Sequence, residues 1–235
     1  CKYVPSRICK IGAVFKVEIP NIFSTRGLRP DRQKKIDEIR SNKYLNPSND
    51  FMEYGYDYFD NADIHSGYRY YSYNGKFEKP VSDLISAFHL SAGMKVADYG
   101  CAKGYLLYEF HKQGFPVIGF ERSEYAIQKA HPEVKAEIVQ CNDPRVISEH
   151  EFDFLISRNV IPHLDRDAIT ALIKKAIQIC SRKPYFVIHS FESDKNRDDY
   201  EYWDRTHVTV MNADQWRQFL EPFNEEILFS FDLLF

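Results

Sequence analysis

Two glycines in a short loop follow an apolar stretch and precede a predicted helix. Residues 96–104 read Val-Ala-Asp-Tyr-Gly-Cys-Ala-Lys-Gly, so that Asp98 lies near the end of the stretch, with Gly100 and Gly104 beyond it. Gly100 permits a sharp turn and Gly104 permits close approach of the next helix, so a ligand can lie against bare backbone at the helix N-terminus. Because dinucleotide-binding folds contain similar loops, the glycines alone are a weak signal.

An acidic residue, Glu121, directly follows the next apolar stretch, residues 117–120. A carboxylate at the end of a second parallel strand can accept two hydrogen bonds from a ribose diol, in NAD and S-adenosylmethionine alike. The alternative, an acid that caps a helix or faces solvent, is less favoured beside the glycine loop. Asn142 and Asp143 follow a third apolar stretch. They either hydrogen-bond an adenine amine or form a turn, since Asn-Asp-Pro is good turn chemistry.

Two histidines are candidate general bases. His163 follows the fourth predicted strand and His189 ends the fifth, so both face the carboxyl edge of the sheet, where ligands bind. A base that takes a proton from a hydroxyl contributes about 10²–10⁴-fold to a rate. The alternative for each is a structural histidine bonded to backbone. His207 is a third candidate base. A divalent-ion site formed by His207, Asp204 and Glu192 is a less favoured alternative, and no metal is predicted.

The elements that position these residues alternate between apolar and amphipathic segments. Strands are predicted at 95–98, 116–120, 136–140, 152–157, 185–189 and 227–235. Helices are predicted at 81–90, 105–113, 124–130, 167–180 and 213–220. Strands separated by helices require right-handed crossovers. The predicted fold class is therefore α/β, a Rossmann-like, mainly parallel sheet with helices on both faces.

Residues 1–79 are predicted to form an N-terminal arm and lid, and residues 80–235 the sheet domain. The arm contains a β-like stretch at 11–19 and a predicted helix at 31–41, which follows Pro30. Residues 50–79 are rich in tyrosine and keep neither helical nor strand periodicity for long. These tyrosines either stack on a ligand or pack the arm onto the sheet, and we expect a mixture with residues 68–71 nearest the ligand.

The composition disfavours several classes of partner. Lys and Arg number 31 against 34 Asp and Glu, which does not favour a nucleic-acid binder. No apolar run approaches the ~20 residues of a membrane helix and no signal peptide is visible, so no membrane partner is expected. The five cysteines form no Cys-x-x-Cys pair, which favours a reducing, cytoplasmic location. The ends of the chain, Cys1 and Phe235, lead us to expect a piece of a longer polypeptide.

Several segments together resemble the class I S-adenosylmethionine-dependent methyltransferases of the small-molecule type. Residues 98–104 resemble the first motif of that family more than Gly-x-Gly-x-x-Gly, because the glycines are four positions apart. Residues 121–126 resemble its ribose-binding position and following helix, and residues 152–164 its fourth strand and the loop beside the methyl donor. The resemblance covers about 81–235 and, less specifically, 58–77. The short loop 143–151 and the lack of room for a seventh strand depart from the family pattern.

The resemblance implies S-adenosylmethionine as the cofactor and methyl transfer by in-line displacement. Asp98, Gly100 and Gly104 would surround the methionine part of the cofactor, and Glu121 would hold the ribose. Asn142 and Asp143 would flank the adenine, and Arg158 or Asn159 would lie near the sulfonium. Arg69 or a tyrosine of the arm would pair with the cofactor carboxylate. The predicted cofactor-binding residues are Tyr68, Arg69, Tyr70, Asp98, Gly100, Cys101, Gly104, Glu121, Arg122, Asn142, Asp143, Arg158 and Asn159.

The sequence therefore predicts a methyltransferase that acts on a small molecule, with a sugar or secondary-metabolite hydroxyl or amine as the expected acceptor. Near-neutral charge, aromatic content and the enclosing segments 50–79 and 191–212 favour this acceptor class over nucleic acid. Two alternatives stay open. One is a non-catalytic cofactor-binding domain of a larger protein, and the other is an NAD-dependent oxidoreductase, against which the glycine spacing argues.

Overall fold

Six parallel strands form the centre of the computed structural model, which describes residues 18–24, 32–41, 46–64, 66–149 and 151–234. The strands are β1 (Val96–Tyr99), β2 (Val117–Glu121), β3 (Ile138–Gln140), β4 (Phe154–Arg158), β5 (Tyr185–Ser190) and β6 (Leu228–Leu233). Their spatial order is β3-β2-β1-β4-β5-β6, and each neighbouring pair is parallel. The predicted Rossmann-like α/β fold is confirmed.

Nine α-helices lie in the described part of the chain. They are α1 (Arg32–Ser41), α2 (Asn49–Met52), α3 (Tyr56–Phe59), α4 (Glu78–Ala87), α5 (Tyr105–Lys112), α6 (Glu124–Gln128), α7 (Arg166–Ile179), α8 (Arg197–Trp203) and α9 (Ala213–Leu220). Helix α4 begins three residues before its predicted start, because Pro80 lies in the first turn, where its missing N–H is not needed. This helix crosses the 79/80 position at which the sequence divided arm from domain, and that division stays a prediction.

Alternate residues of the strands supply two apolar layers, one on each face of the sheet. In β1, Val96 belongs to one layer and Ala97 to the other, as the strand period of two requires. Helix α5 covers the first face with Leu107 and Phe110. Helix α7 covers the second face with its predicted apolar stripe, in which Ile169 and Leu172 are fully buried. Both faces of the sheet are thus covered, which leaves the strand ends to form a site.

The tyrosine-rich part of the arm packs into the first apolar layer. Tyr58 and Tyr71 are buried there with the sheet residues. The ammonium of Lys103, in the glycine loop, donates to both carboxylate oxygens of Asp60 at 2.6 Å and to the Tyr71 carbonyl at 2.8 Å. Tyr125 donates to the same carboxylate at 2.7 Å. The arm is therefore tied to the loop that the sequence analysis singled out.

The flanking segments differ in part from expectation. Residues 11–17 of the β-like stretch lie outside the described residues, whereas Glu18 forms a parallel bridge with Phe229 of β6. The loop with the atypical sequence becomes a 3-10 helix, Pro144–Glu149. Helix α8 was not predicted and falls within segment 191–212. Among the described residues, none of the helices combines the length and the apolar character that crossing a membrane requires.

Candidate functional site

The carboxyl ends of β1, β2, β3 and β4 surround a pocket, here called the edge pocket. Eight predicted site residues line it, and they come from all four strand ends and from the arm. These residues are Tyr68, Gly100, Glu121, Arg122, Asn142, Arg158, Asn159 and His163. The crevice lies where the strand order reverses between β1 and β4, which is the position at which open α/β sheets bind ligands.

Aromatic side chains of the arm form the cover of the edge pocket. Tyr54, Tyr58, Phe59 and Tyr68 all line it, and the rings of Phe59 and Tyr68 stack at 5.4 Å between centroids. The remaining cavity volume is about 80 Å³, whereas ligand pockets of this kind hold roughly 300–1,000 Å³. The edge pocket must therefore widen, by movement of some of these side chains, before it holds a nucleotide-sized ligand.

The glycine loop is shaped by its contacts with neighbouring side chains. Gly100 has a φ of +80°, and a Cβ there would lie 2.2 Å from a methyl of Val160. Gly104, at φ +72°, precedes α5, and its Cβ would lie 3.0 Å from Ile138 and Val134. Gly100 lines the edge pocket; Gly104 is not part of the lining and instead permits α5 to approach the β3 side of the sheet.

Glu121 is held rigidly at the end of β2. Its side chain is buried, and its carboxylate accepts hydrogen bonds from the backbone N–H of Ala102 at 2.7 Å and of Ser123 at 2.8 Å, one on each oxygen. Burial raises the pKa of this carboxyl, against the lowering effect of those N–H groups. A carboxylate offers about four acceptor positions, so after the N–H groups of Ala102, Ser123 and Arg122 the side chain keeps acceptor capacity for a ribose hydroxyl.

Two predicted residues of the first motif lie behind the pocket rather than in its lining. Asp98 is buried, and burial together with the charge of Glu121 raises its pKa to about 7. Cys101 is also buried, packs in the first apolar layer, and has its thiol pKa raised by that burial. The expected direct contact of Asp98 and Cys101 with a cofactor thus does not follow from this geometry.

The two predicted adenine neighbours separate in the structure. Asn142 is exposed at the rim and lines the edge pocket. Asp143 turns away, because its carboxylate accepts the Nε–H of Arg145 at 2.8 and 2.9 Å. That guanidinium holds the pKa of Asp143 below its usual range. Asp143 therefore fits the alternative in which the segment forms a turn, whereas Asn142 lies where it can contact a ligand.

Arg158 and Asn159 leave β4 at the far wall of the edge pocket. The guanidinium of Arg158 lies over the rings of Phe23 and Phe77, at 5.2 and 5.6 Å, and 3.9 Å from Asp232. Asn159 has a φ of +59° and donates to the same Asp232 carboxylate at 3.3 Å. Two polar donors thus face the pocket, and one of them carries a full positive charge.

The arm contributes differently from the prediction. Of the predicted residues 68–70, only Tyr68 lines the edge pocket, whereas Tyr70 is 72% exposed and Arg69 is absent from the lining. Tyr54 and Tyr58 line the pocket and were missed as individual residues. Their signal in the sequence was the tyrosine density of segment 50–79, which does not say which rings turn inward.

The histidines gather beside the edge pocket around one carboxylate. His163 lines the pocket, and its ring lies 4.8 Å from that of His207. Asp204 accepts hydrogen bonds from the Tyr58 hydroxyl at 2.9 Å and the Thr206 hydroxyl at 2.6 Å. We call His163, Asp204 and His207 the His-Asp cluster.

The other two residues considered from the sequence, His189 and Glu192, do not belong to the His-Asp cluster. His189 is not in the pocket lining, and its Nε2 lies 3.6 Å from Asp232. Glu192 is exposed, so the metal set considered from the sequence is replaced by one that contains His163. A separate outer cleft of about 660 Å³ includes Asp204 and His207 in its lining. The His-Asp cluster therefore lies between the edge pocket and the outer cleft.

A parallel α/β sheet with a ligand pocket at the ends of its central strands, and a fixed carboxylate at the end of β2, defines a Rossmann-like cofactor-binding protein. Comparison with protein families then specifies the class. A family model described as a methyltransferase domain matches residues 73–228, and the chain belongs to this family. This result confirms the predicted relationship to class I methyltransferases, for which S-adenosylmethionine is the methyl donor.

Two solved structures, with TM-scores of 0.50 and 0.51, support the same fold. A Bacillus halodurans protein described as a putative methyltransferase is 18% identical with a TM-score of 0.50, over 60% of this chain and 67% of that one. The YcgJ protein of Bacillus subtilis is 14% identical with a TM-score of 0.51, over 60% and 66%. A SAM-dependent methyltransferase of Archaeoglobus fulgidus is 21% identical with a TM-score of 0.48, over 62% and 66%. No curated protein matches the sequence.

Proposed function

We propose that the protein transfers a methyl group from S-adenosylmethionine to a small molecule that binds beside His163. The observation that carries this proposal is the buried Glu121 carboxylate. Backbone N–H groups fix it in the lining of the edge pocket of a methyltransferase domain. A ribose diol supplies hydroxyl donors for the acceptor capacity that the carboxylate keeps.

The remaining pocket residues suit the other parts of the cofactor. With the ribose on Glu121, Asn142 lies on the β3 side, where an adenine amine would be, and Arg158 lies on the β4 side with the methionine end. A guanidinium repels a sulfonium but pairs strongly with a carboxylate. We therefore assign Arg158 to the cofactor carboxylate, in place of the sulfonium contact that the resemblance implied and of the pairing proposed for Arg69.

His163 is the candidate catalytic residue among the predicted histidines. Burial lowers the pKa of its imidazole, so it is neutral near pH 7 and able to accept a proton from an acceptor hydroxyl. His189 pairs with Asp232 and lies outside the lining, which favours a positioning role for it. The outer cleft, with polar side chains such as Arg166 and Glu201 in its wall, has the volume for a small polar acceptor.

Calorimetric titration with S-adenosylmethionine and S-adenosylhomocysteine tests the proposal. We expect micromolar binding to the wild type and at least tenfold weaker binding, roughly 1.4 kcal/mol, to Glu121→Ala. Glu124→Ala is the matched control, because Glu124 is an exposed acid three residues further along the chain. Equal binding by wild type and Glu121→Ala would refute the cofactor site, and tight binding of NAD without S-adenosylmethionine would refute the reaction class.

A further inference from the structure

The His-Asp cluster joins two separate segments of the chain. His163 ends a short 3-10 helix after β4, and Asp204 and His207 lie in the loop after α8. One ligand-type atom from each residue lies within 4.8 Å of the others. Because tetrahedral ligands at about 2.1 Å from a zinc ion lie about 3.4 Å from one another, side-chain rotations that bring these atoms closer by up to about 1.4 Å place all three on one ion.

Surrounding hydrogen bonds orient the side chains of His163 and Asp204. The Asp204 carboxylate accepts from the Thr206 N–H, the Thr206 hydroxyl and the Tyr58 hydroxyl, which leaves one of its four acceptor positions. Since the Thr206 hydroxyl donates to Asp204, its oxygen accepts from Nδ1 of His163, 2.9 Å away. This tautomer leaves the lone pair on Nε2 of His163. Such outer partners are typical of metal-binding histidines and carboxylates.

His207 supplies the independent observation that a ligand is needed. Both of its ring nitrogens are inaccessible to solvent, and neither has a hydrogen-bond partner among the described residues. Its ring is held in place by stacking on Tyr200, at 4.5 Å between centroids and 18° between planes. Buried polar atoms are nearly always paired, and one nitrogen of a neutral imidazole carries a lone pair, so His207 has an unpaired acceptor atom beside a carboxylate that a metal ion can occupy.

We propose that His163, Asp204 and His207 bind a divalent first-row transition ion, of which Zn²⁺ is the best fit. Two imidazoles and one carboxylate are borderline ligands that suit such ions better than Mg²⁺ or Ca²⁺. Three protein ligands also leave a coordination position open, as in zinc sites that act on a bound oxygen.

The position of the ion connects it with the reaction, and this connection rests on the proposed function. The cluster lies between the edge pocket and the outer cleft, so an acceptor oxygen in the open position would be beside the methyl donor. Coordination lowers the pKa of a bound hydroxyl. With the ion bound, His163 would be a ligand and not the base. The coordinated acceptor hydroxyl would release its proton to water in the outer cleft, its oxygen would bond to the methyl carbon, and the carbon–sulfur bond of the donor would break.

Calorimetric titration of Zn²⁺ into chelator-treated protein tests the site directly. We expect one ion per chain for the wild type, and at least tenfold weaker binding to His207→Ala and to Asp204→Asn. His111→Ala, which removes an exposed histidine of α5, is the matched control and should bind as the wild type does. Circular dichroism establishes that each variant is folded, and Co²⁺ in place of Zn²⁺ reports ligand geometry through its visible absorption.

The outcomes separate this site from the proposed function. Absence of one-site Zn²⁺ binding in the wild type, or equal binding by the wild type and a folded His207→Ala variant, overturns the metal site. Zn²⁺ binding that His207→Ala removes, in a protein that does not bind S-adenosylmethionine, supports the metal site and overturns the methyltransferase proposal. S-adenosylmethionine binding without Zn²⁺ binding supports the methyltransferase proposal and overturns the metal site.

Discussion

Gly100 is the residue whose replacement has the most clearly defined physical cost. Its φ of +80° is unfavourable for any residue with a Cβ, and in Gly100→Ala that Cβ would meet two methyls of Val160, at 2.2 and 2.9 Å. Backbone strain contributes about 1–3 kcal/mol, and overpacking adds about 1–3 kcal/mol. We expect Gly100→Ala to lower the free energy of unfolding by about 2–6 kcal/mol.

A second substitution separates the two contributions. Val160→Ala removes both methyls that collide with the new Cβ and leaves only the Val160 Cβ, at 3.1 Å, so most of the overpacking cost disappears while the backbone strain remains. Alone, Val160→Ala costs about 1 kcal/mol, because Val160 is only partly buried. In the double variant the two changes are therefore expected to couple favourably by about 1–3 kcal/mol.

Urea unfolding followed by the fluorescence of the buried Trp216 measures all four proteins of this cycle. A coupling below about 0.5 kcal/mol would contradict the proposed contact between the glycine loop and the start of the loop after β4. A fully stable Gly100→Ala variant would contradict the left-handed conformation as well. Binding of S-adenosylhomocysteine should follow the same order, because Gly100 lines the edge pocket.

Three further predictions concern the arm, the His-Asp cluster and Arg158. Lys103→Met leaves the Asp60 carboxylate, which is 21% exposed, without its cation, and should lower the free energy of unfolding by about 3 kcal/mol. An effect below about 1 kcal/mol in urea unfolding would contradict the stabilising role of the Lys103–Asp60 pair. Burial lowers the pKa of His207 in the folded state below the 6.5 of the unfolded chain, so below that pH the unfolded state binds more protons than the folded state. The unfolding free energy of the metal-free protein should therefore fall from pH 7 to pH 5, and it should fall less steeply in His207→Gln. Equal slopes in the two proteins would refute this. Arg158→Leu should weaken S-adenosylhomocysteine at least tenfold in calorimetry and leave 5′-methylthioadenosine, which lacks the carboxylate, unchanged; equal losses would contradict the carboxylate assignment.

The sheet and part of the site were predictable because local patterns determine them. The apolar stripe of α7 repeats at helical spacing, and its residues Ile169 and Leu172 are buried as that spacing requires. Glu121 follows its strand directly, so the strand end alone brings it to the carboxyl edge. The same holds for Arg158 at the end of β4 and for Asn159 and His163 just after it, all of which line the edge pocket.

The rest depends on contacts between distant or competing groups. Asp143 is withdrawn from the pocket by Arg145, which competes with any ligand for the carboxylate. The inward rings of the arm are positioned by the Lys103–Asp60 pair, whose partners are far apart in the chain. His207 reaches His163 only because α8 returns its loop to the end of β4, and the sequence gives no spacing rule for such an approach.

Incubation with methyl-labelled S-adenosylmethionine tests the central claim most directly. The wild-type protein, Glu121→Ala and Glu124→Ala would each be given separate small-molecule, RNA and protein fractions of a cell extract. We predict label in the small-molecule fraction with the wild type and Glu124→Ala, and its loss with Glu121→Ala. Label in RNA or protein alone, or transfer that is unaffected by Glu121→Ala, would contradict the proposed methyl transfer to a small molecule at the edge pocket.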